Sequence, residues 1–329
     1  MKLFNMDLHI SVIADFKNLF PEIEIVDWCM SGHAFVMKKK TFYPSVINPD
    51  TWKNLNDTMI SDFHNEYDEY LSQFDGFICG HPNSFAMIFE KYNKPIILIN
   101  SCRFDLPLCW NNNGIDRYRD CIKRLQEKNL LIAVSNNLAD KYYTKYGYDL
   151  ETTHIPSLCG YTEMRYRPTS EQKQFLVYTG NINHHPLITH KNQLNQPFEW
   201  SDLLKFKGII HFPYEVSTMS MFEHFSAGIP LFFPSKKYMM DSFSIQSVSA
   251  YWGHNLPKYL NIFNDKKIWL DRADFYCVFQ SPNVYYFDSI PHLFELLESF
   301  VWVNDIDIID RYRKDIKEKW IDILQPLLG

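Results

Sequence analysis

The sequence has no uncharged apolar run approaching the ~18 residues that a membrane-spanning helix needs. It has no long basic stretch either. Its 33 Lys and Arg stand against 39 Asp and Glu, for a formal net charge of −6. The positive field that draws a protein to nucleic acid is therefore missing. Glycine is scarce, at 11 of 329 residues, and no G-x-G-x-x-G follows a predicted strand, which counts against a dehydrogenase-type dinucleotide site. The seven cysteines, Cys29, Cys79, Cys102, Cys109, Cys121, Cys159 and Cys277, are odd in number and include no C-x-x-C. They read as reduced, mostly buried thiols and not as a disulfide frame or zinc knuckle. Asp7, His9 and Asp15 fall where the apolar core of a signal peptide would lie, so a cytoplasmic protein is expected.

What the chain does have is apolar and aromatic mass, 46% and 16% of residues. At about 150 residues per domain, that is enough to bury a core in each of two domains. In the first half, short apolar runs at 2–6, 22–28, 75–79, 96–100 and 130–135 alternate with helical patterns at 12–20, 83–92, 115–128 and 137–146. Ser11 is placed to open the first helix and Ser135 to cap the last, which Gly147 would stop. A repeated β-α-β order predicts a parallel, doubly wound, Rossmann-like sheet. The polar stretch 160–174 reads as a linker, and the alternation restarts with FLVYTG at 175–180, then GIIHF, a helix at 218–227 and LFFP. The expected organisation is an α/β chain with two such domains, 1–165 and 170–303, facing a cleft. An amphipathic helix, 304–329, would pack back across both, using Ile308, Ile309, Tyr312, Ile316, Trp320 and Ile323.

The segment HFPYEVSTMSMFEHFSAGIPLFFPS, 211–235, carries the most chemistry. Glu215 falls in the turn after a strand and Glu223 in the following helix, giving E-x7-E. Ser217 or Thr218 is placed as N-cap, with Gly228 and then Pro230 as the stop. The amides that open such a helix, from Met219 onward, can receive phosphate oxygens, while the two carboxylates can accept hydrogen bonds from vicinal hydroxyls. A ligand joining ribose, diphosphate and hexose suits that combination.

This segment resembles the donor-sugar motif of retaining, two-domain (GT-B) glycosyltransferases, in the order Pro213, Glu215, Glu223, Ala227, Gly228, Pro230. DGFICGHPNSFAMIFEKYNKPIILIN (75–100) is similar to that family's strand-His-helix-strand unit. LLIAVSNNLADKYYTKYGYDLETTHIPSLCG (130–160) is similar to its strand-Ser-helix-Gly passage, and FLVYTGNI (175–182) to the first strand of its donor domain. The resemblance implies transfer of a sugar, with retention, from a nucleotide diphosphate sugar to a glycan, lipid-linked or protein acceptor. No cofactor and no metal would be needed. It implies that Glu215 contacts the donor sugar, that Glu223 holds the ribose, and that His81 stands beside the sugar. Gly180 ends the donor strand, and Lys191 takes the place of the cations that clamp the diphosphate. Val216-Ser217-Thr218 replaces the family's Gly-Phe-Gly loop, and Asn5-Met6-Asp7-Leu8-His9 its amino-terminal glycine-rich loop. His9 and His33 are candidates for the acceptor side. Two rival readings remain at this point: a two-domain nucleotide- or partner-binding protein without turnover, and a nucleotide-sugar epimerase. His184, His185 and His190 read as a polar loop rather than a metal site. Asp305-Ile-Asp307 reads as a helix start, and Tyr251 and Trp252 as packing groups with a possible carbohydrate contact.

Overall fold

A computed structural model describes all residues except 38–39, 112–113, 181, 196, 245–264 and 329. Tyr251, Trp252, Asn181 and the pair Lys38-Lys39 therefore lie outside the described residues. The chain divides into two compact units. The first comprises Met1–Ser157 and, among described residues, the chain from Lys317 onward; the second comprises the rest, from Leu158 to Ile316.

The first unit holds a parallel six-stranded sheet. Its strands are β1 (Lys2–Asp7), β2 (Glu24–Cys29), β3 (Gly76–Cys79), β4 (Ile96–Asn100), β5 (Leu131–Ser135) and β6 (Thr153–His154). Their order is β2-β1-β3-β4-β5-β6. β3 and β4 are buried along their whole length, as uninterrupted apolar runs such as Ile96-Ile97-Leu98-Ile99 require. The second unit holds a parallel five-stranded sheet, ordered β11-β10-β9-β7-β8. Here the strands are β7 (Phe175–Thr179), β8 (Ile188–His190), β9 (Ile209–His211), β10 (Leu231–Pro234) and β11 (Val284–Phe287).

Counted from its own first strand, the first sheet runs 2-1-3-4-5-6 and the second 2-1-3-4-5. The two halves thus repeat one topology with no repeat in the letters. Right-handed crossovers that reverse direction at strand 1 must place helices on both faces, so both units are doubly wound and Rossmann-like. The reversal leaves a crevice outside the carboxyl ends of the first and third strands, β1/β3 in one unit and β7/β9 in the other.

Phenylalanine builds both cores. Phe77 stacks on Phe89 at 4.4 Å, and Phe4 packs against Phe74 at 5.1 Å. In the second unit Phe175, Val177, Ile210, Phe232, Phe287, Leu293 and Leu297 form one cluster. A long helix, Ile306–Leu328, starts in the second unit and ends in the first. Its buried stripe is Ile309, Ile316, Trp320 and Leu324; Ile308, expected on that stripe, is exposed. Trp320 meets Phe16 edge-on at 5.3 Å within the first unit. Asp305, just before the helix, accepts the Ser281 hydroxyl, in keeping with an acid at a helix start. Among the described residues no helix is long and apolar enough to cross a membrane.

Several local expectations are corrected. The first helix, Ile10–Leu19, starts at His9 and not at Ser11. The helix Leu138–Tyr148 is capped by Asn137, whose side-chain oxygen accepts the Asp140 amide at 2.7 Å. Ser135 cannot cap it, because its hydroxyl is engaged with that of Thr152 at 2.8 Å. That helix also runs through Gly147 and ends at Asp149, which takes the left-handed conformation at φ 51°. The supposed polar loop around His184–His190 contains the edge strand β8, too short at three residues to show an alternating pattern.

Gly180 is demanded by geometry. Its φ is +87°, and a Cβ there would lie 2.5 Å from the Cβ of Phe212. Gly180→Ala is expected to lower the stability of the second unit by about 2 kcal/mol, through left-handed strain and overpacking together. Urea denaturation checks this, and a loss within a few tenths of a kcal/mol would refute it.

Candidate functional site

The helix Met219–Ser226 leads away from β9 through the loop Phe212–Thr218. Its start and its end are held differently. At the end, Gly228 takes φ +76°, the Gly228 amide bonds the Phe225 carbonyl at 2.9 Å, and the Ile229 amide bonds that of His224 at 3.2 Å. This is a Schellman closure, and it confirms the stop read from Gly228 and Pro230. Arg313 adds its guanidinium to the Ser226 carbonyl at 3.0 Å, a cation at the negative end of the helix. At the start, Thr218 is the N-cap residue, but its side chain does not cap; it pairs with the Ser220 hydroxyl at 3.1 Å. Ser217 and Thr218 are half-buried, and Met219 is buried.

Glu223, one and a half turns into this helix, is 8% exposed. Tyr161 donates its hydroxyl to Glu223 Oε1 at 2.5 Å. Burial raises the carboxyl's pKa above its ordinary value, against the Tyr161 hydrogen bond and the Lys191 charge. Lys191, just beyond β8, is half-buried, with Nζ 3.7 Å from the centre of the Tyr178 ring and 5.3 Å from that of Phe198. Burial lowers its pKa, and the Glu223 charge opposes that shift. Among the described residues Lys191 forms no ion pair; its charge lies over aromatic faces, with Glu223 as the carboxylate that acts on it. Trp200 packs beside Tyr161 at 5.4 Å and completes an aromatic wall.

Two histidines behind this wall escaped the sequence reading. His211, which ends β9, and His224 are both 0% exposed, and His211 Nε2 lies 3.0 Å from His224 Nδ1. Thr179 reaches His211 Nδ1 at 3.4 Å, while His224 Nε2 has no partner among the described residues. Burial holds both imidazoles neutral, pushing His211 down to about 3 and His224 well below its ordinary value. The positive charge of Lys191 works in the same direction on both. A histidine next to a glutamate at a helix position was visible in the letters. That it faced a second histidine across the sheet was not.

Gly180, Lys191 and Glu223 thus gather at the carboxyl ends of β7 to β9. Glu215 is 5% exposed in the loop after β9, with its carboxylate accepting the Val216 amide at 3.0 Å. That loop is tied down where the Asp274 amide bonds the Val216 carbonyl at 3.1 Å.

In the first unit the candidate acceptor-side residues also collect at strand ends. His9 follows β1, and its amide bonds Asp7 Oδ1 at 2.6 Å. Gly80, after β3, leaves room for Asp7, since a Cβ there would come within 2.8 Å of Asp7 Oδ2. His81 follows directly, its ring 6.3 Å from that of His9, 5.8 Å from Trp52, and its Nδ1 2.7 Å from Cys102 Sγ. Burial pushes His9 down to about 4 and His81 to about 3. His33 is exposed, yet its charge bears on His9, so the three histidines form one neighbourhood.

No protein-family model matches the sequence, and no curated protein matches it. Among solved structures the chain is similar to the glycosyltransferase of kitacinnamycin, at 9% identity and TM-score 0.46, covering 100% of this chain and 98% of that one. It is also similar to the glycosyltransferase SnogD from Streptomyces nogalater, at 10% identity and TM-score 0.46, covering 100% and 99%. Neither likeness assigns an activity to this chain.

Proposed function

We propose that the protein is a glycosyltransferase of the GT-B kind that moves a sugar from a nucleotide diphosphate sugar to an acceptor hydroxyl, with retention. The observation that carries this reading is the placement, at the β7/β9 crevice, of an aromatic-held Lys191, without an ion pair among the described residues, within charge range of a buried Glu223. A cation and a carboxylate that sense each other's charge without a direct ion pair among the described residues suit a ligand with an anion and a diol. Lys191 would meet the diphosphate, aided by the amides that open the helix after Thr218. Glu223 would accept the ribose hydroxyls, and Glu215 those of the sugar. As the bond from the anomeric carbon to the diphosphate breaks, negative charge grows on the leaving oxygens, where Lys191 and those amides stabilise it. His81, neutral and half-buried, would orient the incoming hydroxyl, with His9 and His33 on the acceptor side.

A second reading, nucleotide binding without turnover, is favoured by one feature: Val216, 1% exposed, stands where a glycine loop would let backbone approach the sugar. Turnover separates the two. A thermal-shift panel of nucleotide diphosphate sugars is expected to raise the melting temperature for at least one donor, since ligand bound to the native form alone stabilises it. Incubation of that donor with mixed acceptors is expected to release the nucleoside diphosphate. Lys191→Met, which keeps the apolar stem over Tyr178, is expected to weaken the donor by about 1.5–2 kcal/mol while leaving the bare nucleoside unaffected. No shift with any donor would refute the reading; a shift without product would leave the binding protein.

A further inference from the structure

We propose that a cavity beyond the C-terminal end of the helix Met219–Ser226 is a binding site for a small apolar carboxylate, about the size of benzoate. The proposal does not depend on sugar transfer. The cavity measures about 170 Å³, and its lining residues all belong to the second unit. It lies at the amino edge of that sheet, opposite the crevice of Lys191 and Glu223. Tyr166, on its wall, donates its hydroxyl to the carbonyl of Lys207, two residues before β9, at 2.9 Å. Gly228, also on the wall, lies three residues before β10.

The backbone leaves this space open. A Cβ on Gly228 would meet Ile309 Cγ1 at 3.8 Å and, its chain neighbours aside, no other heavy atom within 4 Å. The segment that carries Trp302 is held in place, because Asn283 donates to the Val303 carbonyl at 2.7 Å and accepts the Val303 amide at 3.1 Å. An apolar cavity of about 150 Å³ accepts a benzene-sized ring. Trp302, Ile306 and Ile309 supply apolar walls here.

The polar groups decide the charge of the ligand. Two guanidiniums and two carboxylates line the cavity, but they are unevenly engaged. Asp305 accepts the Ser281 hydroxyl, and Asp310 takes Arg165 at 2.9 Å. An ammonium would have to displace one of these. Arg167 has no side-chain partner among the described residues, and neither has the buried indole Nε1 of Trp302. Both unengaged groups are donors, so the ligand that fits them brings acceptors. A carboxylate meets a guanidinium through two parallel hydrogen bonds. The helix Ile306–Leu328 starts on the same wall, and its positive end favours the same charge.

Ligand-observed NMR titration of the intact protein with sodium benzoate tests this, with acetate and benzyl alcohol as controls. Benzoate is expected to bind saturably with a Kd of about 1 mM or tighter. Acetate, which lacks the ring, and benzyl alcohol, which lacks the charge, are expected to bind at least about tenfold more weakly. Arg167→Gln, at an exposed position, is expected to weaken benzoate about tenfold or more and to leave benzyl alcohol unchanged. Ile306→Trp, also at an exposed position, fills the cavity and is expected to abolish binding of both. An unchanged melting temperature reports that each variant is folded. Absence of saturable benzoate binding by the parent up to about 10 mM overturns the proposal. Binding that survives in folded Ile306→Trp also overturns it, since the ligand would then sit elsewhere. Benzoate affinity unchanged in Arg167→Gln, or matched by benzyl alcohol in the parent, overturns the choice of a carboxylate.

Discussion

Glutamine in place of Glu223 is expected to leave the second unit at least as stable as the parent and to weaken donor binding by roughly 2–3 kcal/mol, about 30- to 150-fold. The two halves of this expectation share one cause. Glu223 is a buried carboxyl whose pKa burial raises, so at neutral pH the folded protein holds more of its proton than the unfolded chain does. A group that binds more protons when folded costs stability as pH rises. Parent stability should therefore fall as pH climbs above the ordinary carboxyl range, and the glutamine variant should lose that slope. Tyr161 can donate to the amide oxygen as it does to Oε1, so the helix keeps that side-chain tie. Binding is another matter. A carboxylate can accept from two hydroxyls at once, whereas an amide accepts at one atom and presents a donor at the other. Denaturation at pH 6 and 8, with calorimetric titration of the donor, measures both. A variant that binds as tightly as the parent would remove Glu223 from the ribose role.

Much of this geometry was legible in the letters, and what was missed shares a physical reason. Continuous apolar runs announced β3, β4 and β10, because a strand buried on both faces must be apolar throughout. The Gly228-Ile-Pro230 end of the key helix was equally plain, since few residues serve at a left-handed C-terminus. The letters offer Lys191 only as a substitute cation, because nothing in NHHPLITHK tells that β8 places it over Tyr178. The His211–His224 pair joins residues 13 apart on a strand and a helix, so no period links them. The buried Arg103–Asp105 ion pair, at 2.7 Å with Tyr143 donating to Asp105, looks in sequence like two surface charges. Periodicity reports which face is apolar. It carries no signal for polar groups that satisfy each other inside.

Acidification from pH 7 to 5 is expected to destabilise the second unit by about 4 kcal/mol through His211 and His224 alone. Unfolded histidine titrates near 6.5, so at pH 5 an unfolded chain gains about 2 kcal/mol per imidazole that the native state must keep neutral. His211 stays neutral down to about 3, and burial and the neighbouring His211 hold His224 well below its ordinary value. The sign is fixed. Both native values lie below the unfolded one, the unfolded chain binds more protons in that window, and stability falls as pH falls from 6.5 toward 3. Lys191 adds to the effect, because its charge opposes a second cation behind Tyr178. Glu223 works the other way, gaining its proton more readily in the fold, so Glu223→Gln is the background in which the histidines are read cleanly. In the first unit His9, His81 and His154 are lowered in the same direction, so acid should loosen that unit as well. Against a typical domain stability of about 5–15 kcal/mol, a loss of 4 brings unfolding within reach of mild acid. Urea denaturation followed by circular dichroism from pH 7 to 5 measures the slope. Replacing His211 and His224 together by glutamine, in the Glu223→Gln background, is expected to flatten most of the second unit's share, whatever it does to stability at pH 7. A slope unchanged by that replacement would mean that the pair takes up protons in the native state much as in the unfolded chain, and the assignment of two neutral imidazoles behind the aromatic wall would have to be abandoned.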